Sequence, residues 1–204
     1  MPAAVAEDTY SCVPFTAPVE RSDVVSELVW RICEHETFFS DYERACPDIC
    51  RECEQCWQRY LNVSRMLGKL DTLTWEVWRH GETSELAGAI YLTGIRCGCD
   101  AVAHYCFFDG KLRSKTKLMN EVLDWIFSDH EGWRALRRLT TEVPVHAFAL
   151  VRHAHKHLGF GGAYTYEHKG AKYNVEGVKR GALMWRGEPE DMLIIGKLNP
   201  AVSQ

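Results

Sequence analysis

The chain has 204 residues, 46% of them hydrophobic, a formal net charge of −4 at pH 7 and a sequence pI near 6.1. This length suits one compact domain with a sizeable core and is short for two. The net negative charge gives no general attraction to nucleic acid or to an anionic membrane surface, so we expect neither as a partner.

The N-terminal residues and the cysteine content bear on location. The first ten residues are small and acidic and lack the basic and apolar regions of a signal peptide, and no apolar run approaches the length of a membrane span. We therefore expect a cytoplasmic protein whose nine cysteines are reduced thiols or metal ligands. A single domain over residues 1–204 is predicted, with loose tails at 1–9 and 199–204.

The first third of the chain predicts one strand and two helices. Residues 10–15 form the strand, and Ser22 or Asp23 can cap the first helix. The second helix is predicted at residues 47–61, because apolar and thiol side chains recur there at helical spacing.

The middle of the chain changes to a period of two. Residues 72–78, 86–92 and 101–108 predict three antiparallel strands joined by hairpins. A basic loop at residues 109–117 then leads into a helix whose buried face is Leu118, Val122, Leu123, Ile126 and Phe127.

The last third predicts a strand, a helix and further strands. The strand at residues 139–143 breaks at Pro144, and the following helix stops at Gly159, where a left-handed residue is favoured. Strands are predicted at residues 163–167 and 178–185, joined by a polar link, and a final apolar run follows at 192–195. The helix is predicted to expose Arg152, His153, Lys156 and His157.

The sequence of strand, helix, Leu158-Gly159-Phe160 and strand resembles the C-terminal motif of the GNAT (Gcn5-related N-acetyltransferase) superfamily. The full order βααβββαβαββ is also similar, over roughly residues 10–185. The resemblance implies an α/β (α+β) fold with a mixed, mostly antiparallel sheet of six to seven strands and about four flanking helices.

The resemblance also implies acetyl-CoA as acyl donor, an amine as acceptor and no metal. The family's phosphate loop carries glycines, and the corresponding stretch here, Lys111 to Lys117, has none. Cations and hydroxyls replace them, and free amides at the helix start favour an anion. The implied donor contacts are the backbone of Cys106, Phe107 and Phe108, and the loop residues Lys111, Arg113, Ser114, Lys115, Thr116 and Lys117.

The resemblance places His155 where many family members have the tyrosine that protonates the departing CoA thiolate. A histidine can deliver a proton near neutral pH, although a purely solvated role is the alternative. Candidate bases for the amine are Glu142, His104 and Tyr105. The family's asparagine in this helix is replaced by Phe148.

A cysteine cluster, Cys46, Cys50, Cys53 and Cys56, has spacing that suggests zinc ligands. If these residues form one helix, a rise of about 1.5 Å per residue separates its ends by about 15 Å, too far for one tetrahedral ion. We favour buried thiols over a metal site.

The predicted function is acetyl transfer from acetyl-CoA to an amine by direct attack in a ternary complex. One alternative is a catalytically inactive scaffold, since the basic loop and the segment HKHLGF also resemble GNAT-like proteins of tailed bacteriophages, some of them virion components. Its partner would be a protein or a virion assembly. A second alternative is a zinc-stabilised binding module.

Overall fold

The computed structural model of the chain describes residues 9–15, 26–35, 51–109 and 113–202. These ranges contain four α-helices: α1 (Glu27–His35), α2 (Glu54–Leu67), α3 (Thr116–Ile126) and α4 (Phe148–Leu158). They also contain nine strands: β1 (Thr9–Pro14), β2 (Leu73–His80), β3 (Ser84–Arg96), β4 (Asp100–Phe107), β5 (Arg138–Pro144), β6 (Tyr164–His168), β7 (Ala171–Val175), β8 (Gly177–Trp185) and β9 (Glu188–Leu198).

Seven strands form one sheet in the order β1-β2-β3-β4-β5-β9-β8, and β6 and β7 form a separate hairpin. Neighbours in the large sheet are antiparallel except β4 and β5, which run parallel. The predicted mixed, mostly antiparallel sheet with four flanking helices is therefore confirmed. The one parallel pair lies near the middle of the sheet.

Helices cover both faces of the sheet. Ile90 and Leu92 of β3 point into a core with α3 and α4, whereas Ala89 and Tyr91 point into a second core with α1 and α2. This alternation follows from the period of two along a strand. Because both faces are covered, the ends of the central strands are where a ligand can approach.

The C-terminal region differs from the predicted strand order. The polar link becomes β7, in which Tyr173 and Val175 are buried, and the last apolar run becomes the eleven-residue β9. Strand β9 pairs with β5, so the final strand lies inside the sheet and β8 forms the edge. The apolar run at residues 192–195 is shorter than β9, because the first residues of β9 are polar and extend beyond β5.

The second helix lies later than predicted. Helix α2 begins after Cys53 and buries Cys56, Tyr60, Val63 and Leu67 against the second core. Asn199, placed in the predicted loose tail, is buried and donates to the carbonyl oxygens of Phe127 and Leu136 at 3.0 and 2.9 Å. No helix in the described ranges is long and apolar enough to cross a membrane.

Candidate active site

The central feature of the site is a gap between β4 and β5. The two strands pair only where residues 100–102 meet residues 138–140, and pairing ends beyond Val102 and Thr140. Helix α3 follows β4 and helix α4 follows β5, so the open end of the gap lies between two helix N-termini. Ligands of open α/β sheets bind at such carboxyl ends of parallel strands.

The backbone of β4 presents hydrogen-bonding groups to this gap. The N–H of Phe108 donates to the carbonyl of Ala87 on β3 at 2.8 Å, and Cys106 pairs with Ala89 in the same register. In an antiparallel pair these groups alternate in direction, so the N–H and C=O of Phe107 and Tyr105 point away from β3. Of the three residues predicted to bind the pantetheine arm, Phe107 alone turns its backbone groups toward the gap.

A small cavity of about 30 Å³ lies in the gap and is lined by Tyr105 and Thr141 together with apolar side chains of β3, α3 and α4. The phenol oxygen of Tyr105 is buried and has no hydrogen-bond partner within the described ranges. Burial raises the pKa of Tyr105, so its hydroxyl stays protonated. A buried phenol without a partner fits a site that a polar ligand completes.

His104 lies beside Tyr105 in sequence and points to the opposite face of the sheet. Its ring stacks on Tyr91 with centroids 4.7 Å apart, and its Nε2 lies 3.0 Å from Oγ1 of Thr93. Burial lowers the pKa of His104 to about 4, while the nearby Glu142 carboxylate opposes this shift. Glu142, across the gap, accepts a hydrogen bond from Nζ of Lys179 at 2.6 Å. The structure therefore brings His104 and Glu142, both predicted bases, to one face of the gap.

Acidification should weaken the fold through His104. Its pKa is about 4 when folded and 6.5 in the reference state, so between these values the unfolded chain binds more protons. The free energy of unfolding therefore has its full value above pH 6.5. It falls by up to about 1.4 kcal/mol per pH unit as the pH drops from 6.5 towards 4. Denaturant titrations from pH 4 to 8 should show this loss in the wild type and not in His104→Gln. Parallel pH profiles for the two proteins would contradict the assignment.

The position of Lys115 differs from the one predicted for the phosphate loop. It was expected to face a phosphate, but its side chain is fully buried, with Nζ 2.5 Å from Oδ1 of Asp109. The ammonium also lies 4.6 Å from the ring centroid of Tyr10 and 4.9 Å from that of Phe107. Its charge is satisfied inside the protein, because a paired carboxylate and two ring faces replace water.

The other loop residues lie around the N-terminus of α3. Ser114 is exposed and its hydroxyl donates to that of Tyr10 at 3.3 Å, and Lys117 is exposed with an ion pair to Glu121 at 3.9 Å. Thr116 Oγ1 lies 3.0 Å from Nε2 of His153. The N-cap residue of α3 makes no side-chain capping bond. Lys111 lies outside the described residues, and the backbone alone is described for Arg113.

Two histidines of α4 differ from expectation. His153, predicted to be exposed, is buried against α3 through its contact with Thr116. Nε2 of His155 lies 2.9 Å from the carbonyl oxygen of Asn174 on β7, and a carbonyl can only accept, so this nitrogen carries the proton. The sequence predicts a polar link in place of β7, so it does not predict this contact of His155. The structure does not bring His155 together with His104, Tyr105 and Glu142.

The cysteine cluster is described only in part. Cys53 is half-buried before α2 and Cys56 is buried in the second core, while Cys46 and Cys50 lie outside the described residues. Among the residues with described positions, no three metal-ligating side chains come together.

Solved structures of acetyltransferases are similar to this chain. A probable acetyltransferase of the GNAT family from Chromobacterium violaceum has a TM-score of 0.58 at 14% identity, over 98% of this chain and 88% of that chain. The spermidine/spermine N-acetyltransferase SpeG from Vibrio cholerae, in mutant forms, has a TM-score of 0.57 at 15% identity, over 94% and 95%. No family model and no curated protein sequence matches. The similarity is one of structure, and this chain has the fold of the GNAT acetyltransferases.

Proposed function

We propose that the protein is an acyl-CoA-dependent N-acyltransferase that uses acetyl-CoA as donor. The observation that carries this proposal is the separation of β4 from β5 beyond Val102, which turns the N–H of Phe107 into a gap between two helix N-termini. The acetyltransferases with the same fold support it. SpeG acts on spermidine and spermine, and the acceptor here need not be the same.

The donor would lie along β4 with its pyrophosphate at the start of α3. The first backbone N–H groups of a helix and its dipole favour an anion, and the exposed Ser114 and Lys117 add a hydroxyl and a cation. We do not assign this role to Lys115, because its side chain is buried and paired with Asp109. The buried phenol of Tyr105, which has no partner within the described ranges, fits a donor in the gap because a carbonyl or sulfur there would satisfy it.

In the reaction, the amine nitrogen would attack the thioester carbonyl carbon, and the N–H of Phe107 would donate to the oxygen that becomes negative. The neutral imidazole of His104 would accept the amine proton, and the carboxylate of Glu142 would stabilise the imidazolium. The tetrahedral intermediate would then expel the CoA thiolate. We place the hydrogen bond to this thiolate on Tyr105 instead of His155, because His155 already bonds to Asn174.

Ser114→Glu should weaken binding of CoA and acetyl-CoA at least about 10-fold, equivalent to about 1.4 kcal/mol. A carboxylate before α3 repels the pyrophosphate, yet it suits the helix dipole and should not unfold the protein. Isothermal titration measures the affinities, and thermal unfolding checks the fold.

Gln55→Glu is the matched control, because it adds the same charge at an exposed site in the first turn of α2. It should leave the affinity for CoA unchanged. Equal loss in both variants would indicate a general charge effect and not a phosphate site. If the wild type binds neither CoA nor acetyl-CoA at high protein concentration, the transferase proposal is wrong and a protein-binding scaffold becomes the better hypothesis.

A further inference from the structure

A second cavity, of about 600 Å³, lies beyond the carboxyl end of β5. It is formed where the turn between β6 and β7, the turn between β8 and β9 and the start of α4 meet. Its volume is that of sites for small organic molecules. Val145 and His146 line the cavity and directly follow β5. The cavity therefore adjoins the β5 side of the gap between β4 and β5.

The walls of the cavity are partly aromatic. Phe148, Tyr166 and Trp185 line it, and the ring of Trp185 stacks on that of His146 with centroids 3.8 Å apart. Phe148 is 41% exposed, although it is a large apolar side chain. Aromatic faces that remain accessible offer contact area to the apolar body of a ligand.

Carboxylates lie at one side of this cavity. Asp191 is held in place, since Arg180 pairs with it at 2.5 Å, Tyr166 donates to it at 3.2 Å and the N–H of Gly181 at 3.0 Å. Glu190 bonds to Nδ1 of His146. Glu188 is exposed at the mouth. Because Arg180 and His146 already contact Asp191 and Glu190, Glu188 is the carboxylate that suits a protonated amine beside the aromatic rings.

Two cations lie at the mouth in an unusual conformation. Lys169 and Arg186 have φ values of 49° and 53°, and within the described ranges they are the non-glycine residues with positive φ. Each precedes a glycine in a hairpin turn, where asparagine or glycine would be less strained. Both line the cavity, so two long cationic side chains occupy positions that their backbone disfavours. They suit the carboxylate of a ligand.

We propose that this cavity binds a small zwitterion, an amino acid with an apolar side chain, and that its amine is the group acylated. Its carboxylate would meet Lys169 and Arg186, its amine would meet the carboxylate side, and its side chain would pack on the aromatic walls. A polyamine lacks the carboxylate that these two cations would bind. The acceptor role rests on the proposed transferase function, whereas the binding site does not.

The test is isothermal titration of the full chain, without acetyl-CoA, with L-phenylalanine, phenethylamine, 3-phenylpropionate and spermidine. The second and third ligands each lack one charged group of the first. L-phenylalanine should bind, and the other three should bind at least about 10-fold more weakly, because each leaves a charged group of the cavity without its partner. Binding of L-phenylalanine no tighter than that of the truncated analogues would overturn the proposal.

Arg186→Asn separates binding from folding. Asparagine tolerates positive φ, so the melting temperature should stay level or rise, while affinity for L-phenylalanine falls at least about 10-fold. Lys69→Asn, at an exposed lysine outside the cavity, should change neither the melting temperature nor the affinity for L-phenylalanine. If Arg186→Asn binds L-phenylalanine as tightly as the wild type, the proposed contact with the ligand carboxylate is wrong. Mass spectrometry of reactions with acetyl-CoA then tests acylation separately, and bound amino acid without transfer overturns the acceptor role alone.

Discussion

Phe107→Pro should lower kcat for acyl transfer by about 10²- to 10³-fold relative to Phe107→Ala. Both substitutions remove the phenyl ring, but proline also removes the N–H that faces the gap. Loss of one donor to the oxyanion of an acyl-transfer intermediate costs about 3 to 4 kcal/mol in the transition state. The ratio of the two kcat values therefore isolates the backbone group.

The position should tolerate proline because its N–H points away from β3, so no ladder hydrogen bond is lost. The preceding Cys106 lies in a strand, which is the conformation that proline favours for its neighbour. Thermal unfolding should show the two variants to be similarly stable, and affinity for CoA should change much less than kcat. Equal kcat values in two folded variants would mean that the Phe107 amide does not polarise the thioester.

Periodicity was sufficient to predict the elements that build the gap. Apolar residues at helical spacing predicted α4, and Gly159 has the expected left-handed φ of 72° at its end. The alternation in β2 to β4 predicted the antiparallel strands on one side. These patterns carry over because one face of each element is buried in a core, and burial is what periodicity reports.

Contacts between distant segments could not be predicted in the same way. The sequence predicts β6 but gives a polar link in place of β7, because lysine occupies the turn position at which asparagine or glycine would signal a hairpin. The resemblance assigns His155 to thiolate protonation, with a solvated role as the alternative, and neither assignment anticipates its contact with Asn174 on β7. His153 was placed on the polar face for lack of any sequence signal that Thr116 would lie beside it.

Lys115 shows a further limit of composition. A loop with four cations suggests a solvated phosphate-binding surface, yet one of the four is fully buried. Its partner, Asp109, lies at the start of the same loop, and the two rings beside it come from β1 and β4. The sequence places no constraint on which lysine turns inward, because that depends on contacts with Tyr10, which is distant in sequence.

Lys115→Met should lower the free energy of unfolding by about 3 to 5 kcal/mol, because it leaves the mostly buried carboxylate of Asp109 without its cation. Methionine keeps most of the side-chain volume, so the loss would come from the charge and not from a cavity. Urea unfolding measures the change. A loss of this size is a large part of the stability of an ordinary domain.

The double variant Lys115→Met with Asp109→Leu should recover most of this loss, since apolar residues of similar volume often replace a buried ion pair without cost. Because Lys115 is turned inward, the folded double variant should bind CoA within a few-fold of the wild type. If Lys115→Met instead keeps wild-type stability and loses CoA binding, the lysine faces the phosphates and its buried position is wrong. Unfolding free energy and CoA affinity thus distinguish the two roles of Lys115. A structural lysine changes the first, and a ligand-binding lysine changes the second.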